Sequence, residues 1–309
     1  MKSKAYDYFF LLRPTLLFPV WIFLFLGYLR GGGFSFLDIT LSFPLSFWKI
    51  FFSYSFLMGG IYILNQIFDV ESDRRNEKLF LLPRGIISIR NAWISFFFVI
   101  FLSILIAFPL SQSYLVLWVP SLTLGILYSA PPFKFKGRPL LDFLSNAFGY
   151  GLLNFLVGWI SCFSLKKEAF LFSIPYIIAV GAVFLNTTIP DIPGDKESGE
   201  KTTGVLLGRK KTAILAFLFL LLTFFSSLYF RDYIVLLAST ISLPPFFLAM
   251  KHNTDFFVKF SYRIGGGIFA LILAIQCPLF LIIGVLTLLF LKLYYKRRFG
   301  LNYPSLTGR

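Results

Sequence analysis

The residues best suited to chemistry fall in two short acidic segments. The first reads Asn65-Gln66-Ile67-Phe68-Asp69-Val70-Glu71-Ser72-Asp73, and the second Asn186-Thr187-Thr188-Ile189-Pro190-Asp191-Ile192-Pro193-Gly194-Asp195. Each opens on an asparagine, carries two aspartates four residues apart and is trailed by cations. These are Arg74, Arg75 and Lys78 after the first, and Lys196 and Lys201 after the second. Eight of the 14 carboxylates lie in Asp69–Glu77 or Asp191–Glu200. On a helix, Asn65, Asp69 and Asp73 form one stripe of an amide oxygen and two carboxylates. Carboxylates at a helix C-terminus are unfavourable by roughly 0.3–1 kcal/mol each, so a counter-charge is required. Hard oxygen ligands of this kind suit Mg²⁺, which takes a few carboxylates and completes its shell with water and phosphate oxygens. Solvated acidic caps on membrane helices would explain either segment alone, but explain two matching ones poorly.

A third segment, Tyr128-Ser129-Ala130-Pro131-Pro132-Phe133-Lys134-Phe135-Lys136-Gly137-Arg138, supplies positive charge. Its prolines predict a tight exit from a helix. Lys134, Lys136 and Arg138 alternate with other residues and so share a direction. Topological bias alone would place cations here. Beside two acidic, metal-suited segments, they read as a clamp for a diphosphate.

The elements that must carry these residues are membrane helices. Of 309 residues, 57% are hydrophobic, 42 are Phe and 14% are charged, against about 25% charged in a soluble domain. Mean hydropathy is +0.79. No Asp, Glu, Lys or Arg occurs from Ala92 to Phe133, which excludes a water-soluble globular protein. The net charge of +15 reflects loop bias and not a nucleic-acid surface, since no basic stripe lies on a folded domain. Cys162 and Cys277 fall in apolar runs and are expected as reduced, packed thiols. His252, the single histidine, is expected as an ordinary interfacial residue. The first apolar run, with no small-residue cleavage site after it, is read as a retained helix and not a signal peptide.

A spanning helix needs about 20 apolar residues. Runs near that length occur at 14–29, 50–68, 143–165, 169–190, 212–230 and 233–250. The run 92–133 would be about 60 Å long as one helix, so it is expected as two, broken at Pro109–Ser113. The last run, 264–291, is expected as one tilted or kinked helix containing Pro278. That predicts nine spans. With the N-terminus inside, nineteen cations lie on the cytoplasmic side and five on the other, which agrees with the positive-inside rule. Nine spans leave Lys292, Lys296, Arg297, Arg298 and Arg309 outside, against the rule. A re-entrant final hairpin, or a tail tolerated because earlier segments fix the topology, would account for this, and the second is expected.

These motifs are where the chain resembles the UbiA superfamily of intramembrane prenyltransferases, over essentially its whole length. The resemblance implies an all-α polytopic membrane protein with nine transmembrane helices in two related halves, roughly 1–139 and 140–309, around a central cavity. It implies a single domain over 1–309, with acidic motifs after helices 2 and 6. Asn65, Asp69 and Asp73 match the first motif, Asp191 and Asp195 the second, and Tyr128 and Lys134 the segment between helices 4 and 5. The chain departs from the family at Gln66, where Asp is common, and at Leu81-Leu82-Pro83-Arg84-Gly85.

The implied activity is Mg²⁺-dependent transfer of a polyprenyl group from a polyprenyl diphosphate to a lipophilic acceptor of quinone-precursor type, within membrane lipid. Non-aromatic acceptors such as a glycerol-phosphate lipid, a chlorophyll-type alcohol or a carotenoid are the alternative. Asn65, Asp69, Asp73, Asp191 and Asp195 are expected to hold metal. Lys134, Lys136, Arg138, Arg75 and Arg13 are expected on the diphosphate, with Tyr128 catalytic. Asp142 and Asn146, one turn apart, are candidates for the acceptor, although a carboxylate at a helix start is also favoured by the dipole alone. The expected location is a bacterial inner membrane with the active-site loops cytoplasmic. Two rival classes are a transporter with an inverted repeat and a diphosphate hydrolase. A transporter would carry its acidic residues at mid-membrane, whereas these sit at helix ends.

Overall fold

The computed structural model describes residues 3–35, 37–75, 81–301 and 303, together with the backbone of Arg75 but not its side chain. Lys78 and Arg309 lie outside the described residues. A short helix α1 (Ala5–Leu11) leads into α2 (Pro14–Gly31), α3 (Leu45–Arg75), α4 (Ile89–Ala107) and α5 (Gln112–Ser129). The next span is composite. It begins as α6 (Leu141–Asn146), widens into a π-helical stretch (Ala147–Asn154) and closes as α7 (Phe155–Trp159). Then follow α8 (Lys167–Thr188), a 3-10 turn (Ile189–Asp191), α9 (Ile192–Glu197), α10 (Thr203–Tyr229), α11 (Tyr233–His252), α12 (Asp255–Gln276) and α13 (Pro278–Phe299). Among the described residues there are no strands, and eight helices are long and apolar enough to cross a membrane. The chain is an all-α, multi-pass membrane protein.

Packing explains the order. α2 is apolar all round and nearly wholly buried, which marks it as the centre of the bundle. α7 lies against it so closely that a Cβ at Gly27 or Gly158 would overlap the facing backbone, the close approach that small residues permit between membrane helices. α4 and α13 keep Phe97, Phe98, Phe101 and Phe290 exposed on the outer surface, where lipid chains take the place of a protein core.

Two expectations change. The break between α4 and α5 falls where the prolines and polar residues predicted, but the last run is two helices, α12 and α13, that meet at Cys277. Pro278 opens the second helix at its first turn, where a missing N–H costs nothing. The count of nine spans is therefore approximate. α12 starts beside Arg209, which reaches Asp255 at 2.5 Å, and ends where Gln276 accepts from Thr40 through its carbonyl. α13 then returns, so that Arg298 forms a buried ion pair with Asp7 at 2.8 Å and Tyr294 stacks on Phe10. Lys292, Lys296, Arg297 and Arg298 thus lie toward the end of α13 that packs on α1, at the N-terminal end of the bundle. Both cysteines are free thiols and Cys277 is buried, as expected; Cys162 differs in being exposed.

Candidate active site: an acidic mouth over an apolar chamber

α3 runs for 31 residues, roughly 46 Å, against a hydrocarbon core of about 30 Å. Its last turns therefore project beyond the apolar layer, and Asp69 and Asp73 are carried on the helix itself and not on a loop. No Gly or Pro falls between Gly60 and Asp73, so nothing breaks the helix across the acidic motif. The second acidic segment also stays helical, through the 3-10 turn and α9, because Pro190 and Pro193 fall at first-turn positions.

The two segments meet. Asp69, Asp73, Asp191 and Asp195, with Lys136 and Glu200, line one cavity of about 200 Å³. Asp69, Lys136 and Asp191 also line the mouth of a larger cavity of about 450 Å³ that descends between α3, α5 and the π-helical stretch. Lys136 is ion-paired with Asp69. Arg13, between α1 and α2, donates to the Asn65 Oδ1 at 3.4 Å, and Asn65 donates to Ser129 Oγ at 3.3 Å. Among the described residues no group of three His, Cys, Asp or Glu side chains is gathered closely enough to hold a metal ion by itself. The donor set nevertheless fits Mg²⁺: its oxygens are hard, they face one space, and Mg²⁺ commonly uses one or two carboxylates and takes its other ligands from phosphate and water.

Other expected residues are placed differently. Lys134 pairs with Glu200 at 2.7 Å, at the edge of the smaller cavity. Arg138 is exposed and donates to the Pro132 carbonyl at 2.6 Å. The side chain of Arg75 lies outside the described residues. Asn186 is not the counterpart of Asn65: it is buried and donates to Ser261 on α12 at 2.8 Å. His252 stacks on Phe257 at 4.9 Å, away from both cavities.

Asp142 lines the smaller cavity, but its oxygens are committed. It accepts from the Thr203 N–H at 2.7 Å, from the Thr203 hydroxyl and from the Phe143 N–H at 2.8 Å. Its side chain ties the start of α6 to the start of α10. Asn146 donates to Tyr128 Oη at 3.2 Å and lines the large cavity with it.

Below the mouth lies a ladder of polar groups that the sequence reading missed. Tyr62 and Tyr150 join hydroxyls at 2.9 Å. Deeper, Tyr54 donates to Asn154 Oδ1 at 2.8 Å and meets Ser121 Oγ at 3.0 Å. Asn146, Tyr150 and Asn154 all line the large cavity, and their spacing of four was the available signal. On a regular α-helix four residues overshoot a turn by about 40°, so Asn146 and Asn154 would diverge by roughly 80°. The wider π turns keep them in line, a use to which such turns are often put at functional sites.

Residues 12–256 match the model of the UbiA prenyltransferase family. A chloroplastic 2-acyl-4-prenylphloroglucinol 6-prenyltransferase of Humulus lupulus is 29% identical over 183 residues, 56% of this chain and 45% of that protein. A digeranylgeranylglyceryl phosphate synthase of Methanothrix thermoacetophila is 31% identical over 172 residues, 56% of this chain and 62% of its own. The match therefore spans less than two thirds of either relative. The solved structure of a UbiA homolog from Archaeoglobus fulgidus bound to GPP and Mg²⁺ superposes with a TM-score of 0.64. It is 22% identical and covers 87% of this chain and 99% of that one, a likeness of fold.

Proposed function

As this chain belongs to the UbiA prenyltransferase family, we propose that it transfers a polyprenyl group from a polyprenyl diphosphate to a lipophilic acceptor inside the membrane. One observation carries the reading: the acidic space and the large, mostly apolar cavity share Asp69, Lys136 and Asp191. A diphosphate at that junction would have a mostly apolar space below it for its hydrocarbon chain.

Asn65, Asp69, Asp73, Asp191 and Asp195 would hold Mg²⁺, which when bound supplies positive charge to the diphosphate oxygens. Lys136 and Arg13 would face the same oxygens, with Lys134 at the edge of the smaller cavity and Arg138 and Arg75 as further candidates. The carbon–oxygen bond at C1 of the chain breaks, and the diphosphate leaves with the electron pair. C1 then bonds to the acceptor, which gives up a proton. Fixed cations near the leaving group stabilise its growing charge best where water is scarce. The aromatic walls, Tyr62, Tyr128 and Tyr150 among them, exclude water that would trap C1 as an alcohol, and their faces attract an allylic cation.

The named relatives differ in acceptor, a phloroglucinol in one and a glyceryl phosphate in the other. We favour an aromatic, quinone-precursor-like acceptor, with a glycerol-phosphate lipid, a chlorophyll-type alcohol or a carotenoid as the alternative. We place the enzyme in the inner membrane of a bacterial cell with the acidic face cytoplasmic; the excess of cations on that face supports the orientation.

The test is to give membranes containing the protein labelled farnesyl, geranylgeranyl, phytyl and longer diphosphates with a panel of aromatic and glycerol-phosphate acceptors. Mass spectrometry of the extracted lipids should find a prenylated acceptor. Prenyl alcohol as the sole product would make the protein a hydrolase, and unconsumed diphosphate would end the proposal.

A further inference from the structure

The large cavity ends on a buried amide with one atom left over. Asn154 has no exposed surface, its Oδ1 accepts from Tyr54, and its Nδ2 has no hydrogen-bond partner. Exchanging the two amide atoms would move the deficit without removing it. The single Tyr54 proton would turn to Ser121, and the oxygen of the amide would be the atom left over. Ser121 cannot relieve it, since its own proton goes to the Leu117 carbonyl.

This rung lies far below the acidic mouth. Tyr54 precedes Asn65 by eleven residues on α3, about 16 Å along the axis, a span on the order of a farnesyl chain. The wall between is largely hydrocarbon, with Leu16, Met58, Ile61, Leu124 and Leu153. A methyl group suits that wall but cannot pair with the amide of Asn154. Leaving a buried donor or acceptor unpaired shifts an equilibrium by roughly tenfold or more. A site that is apolar along its length and polar at its end favours chains that stop short of the end.

We propose that Asn154, held in place by Tyr54, gauges the length of the prenyl chain and disfavours chains that reach it. The proposal rests on the reading that the diphosphate sits at the acidic mouth. A second cavity of about 290 Å³, bounded by Val180, Val183 and Phe269, meets the first at Asn146 and Tyr150. Among the described residues it contains no unpartnered buried polar side chain, so it offers no such gauge. The proposal therefore places the chain in the large cavity.

The test uses the full chain in lipid nanodiscs with Mg²⁺ and no acceptor, and measures equilibrium binding of dimethylallyl, farnesyl, geranylgeranyl and solanesyl diphosphates. In the wild type, affinity should rise from dimethylallyl to farnesyl and then fall. Asn154→Leu should raise the geranylgeranyl-to-farnesyl affinity ratio about tenfold and leave dimethylallyl, too short to reach the rung, unchanged. Tyr54→Phe, which leaves the amide with neither partner, should lower the same ratio. Opposite shifts from two touching residues are not the mark of a loss of packing, and Tyr54→Phe still decides the matter if Asn154→Leu does not fold. An unchanged ratio in both variants overturns the gauge and assigns the chain to the second cavity, and an equal loss for every chain length makes Asn154 structural. Failure of the wild type to bind any of the four diphosphates overturns the functional reading itself, a result distinct from the others.

Discussion

Lys136 and Asp69, 67 positions apart in the chain, form an ion pair on the line where the two cavities join. Lys134, two residues away, instead pairs with Glu200 and is more exposed. The cations of this segment therefore differ in what they can do. Lys136→Ala should lower kcat/KM by about a hundredfold, in the range seen when a fixed electrostatic contact to a developing charge is removed. Lys134→Ala should cost no more than about tenfold. Steady-state kinetics on both variants at one Mg²⁺ concentration decides, and a larger effect at Lys134 would move the clamp to the rim.

Asp69→Ala and Asp191→Ala should each reduce transfer by about a hundredfold or more while the protein still inserts and elutes as folded. EDTA should stop turnover and excess Mg²⁺ should restore it. Asn186→Ala serves as the contrast. Its amide is buried against Ser261, so the substitution should lower thermal stability and leave the Mg²⁺ concentration needed for half-maximal rate where it was. Wild-type-like transfer by Asp69→Ala would end the assignment of that carboxylate to metal.

Asp142 should prove a fastener between helices. Asp142→Ala leaves the buried Thr203 N–H without its partner, at a cost of about 1–3 kcal/mol, read as a lower melting temperature in detergent. A variant with unaltered stability and a selective loss of acceptor binding would return Asp142 to the acceptor.

The return of α13 brings its C-terminal end against α1. Tags at the N- and C-termini should be labelled by a membrane-impermeant reagent from the same side of sealed vesicles, whereas nine crossings would label them from opposite sides. The ion pair that holds the ends, Asp7 with Arg298, is buried on both partners. Removing either alone should cost about 3–5 kcal/mol, because the other is left buried and uncompensated. Replacing both together should cost less than either single change.

What the sequence could reveal followed from charge. Runs without charge located α2, α4, α5 and α8, and the spacing of Asp69, Asp73, Asp191 and Asp195 brought four carboxylates to one space. The turn at Cys277 carries no charge and lies between two apolar helices, so hydropathy could not show it. Asp142 finds its partner 61 residues away at Thr203, and nothing in either neighbourhood announces the other. Asn186 copies the place of Asn65 in its motif but faces α12, because two helices with similar sequence spacing need not present the same side to a site. The rung at Asn154 was hidden for a related reason. A helical wheel drawn at 3.6 residues per turn rotates it away from Asn146.

That wide stretch has a consequence for how the chain tolerates length changes. A π turn holds one residue more than a regular helix needs over the same rise. Deleting one residue between Ala147 and Leu153 would let the span regain ordinary hydrogen bonding with both of its ends still in register. The shortened helix would be the more regular one, and it would turn Asn154 or Asn146 off the cavity wall. At this span, backbone regularity and the shape of the chamber pull in opposite directions. A library of single-residue deletions should therefore yield folded, inserted protein with an altered choice of substrate.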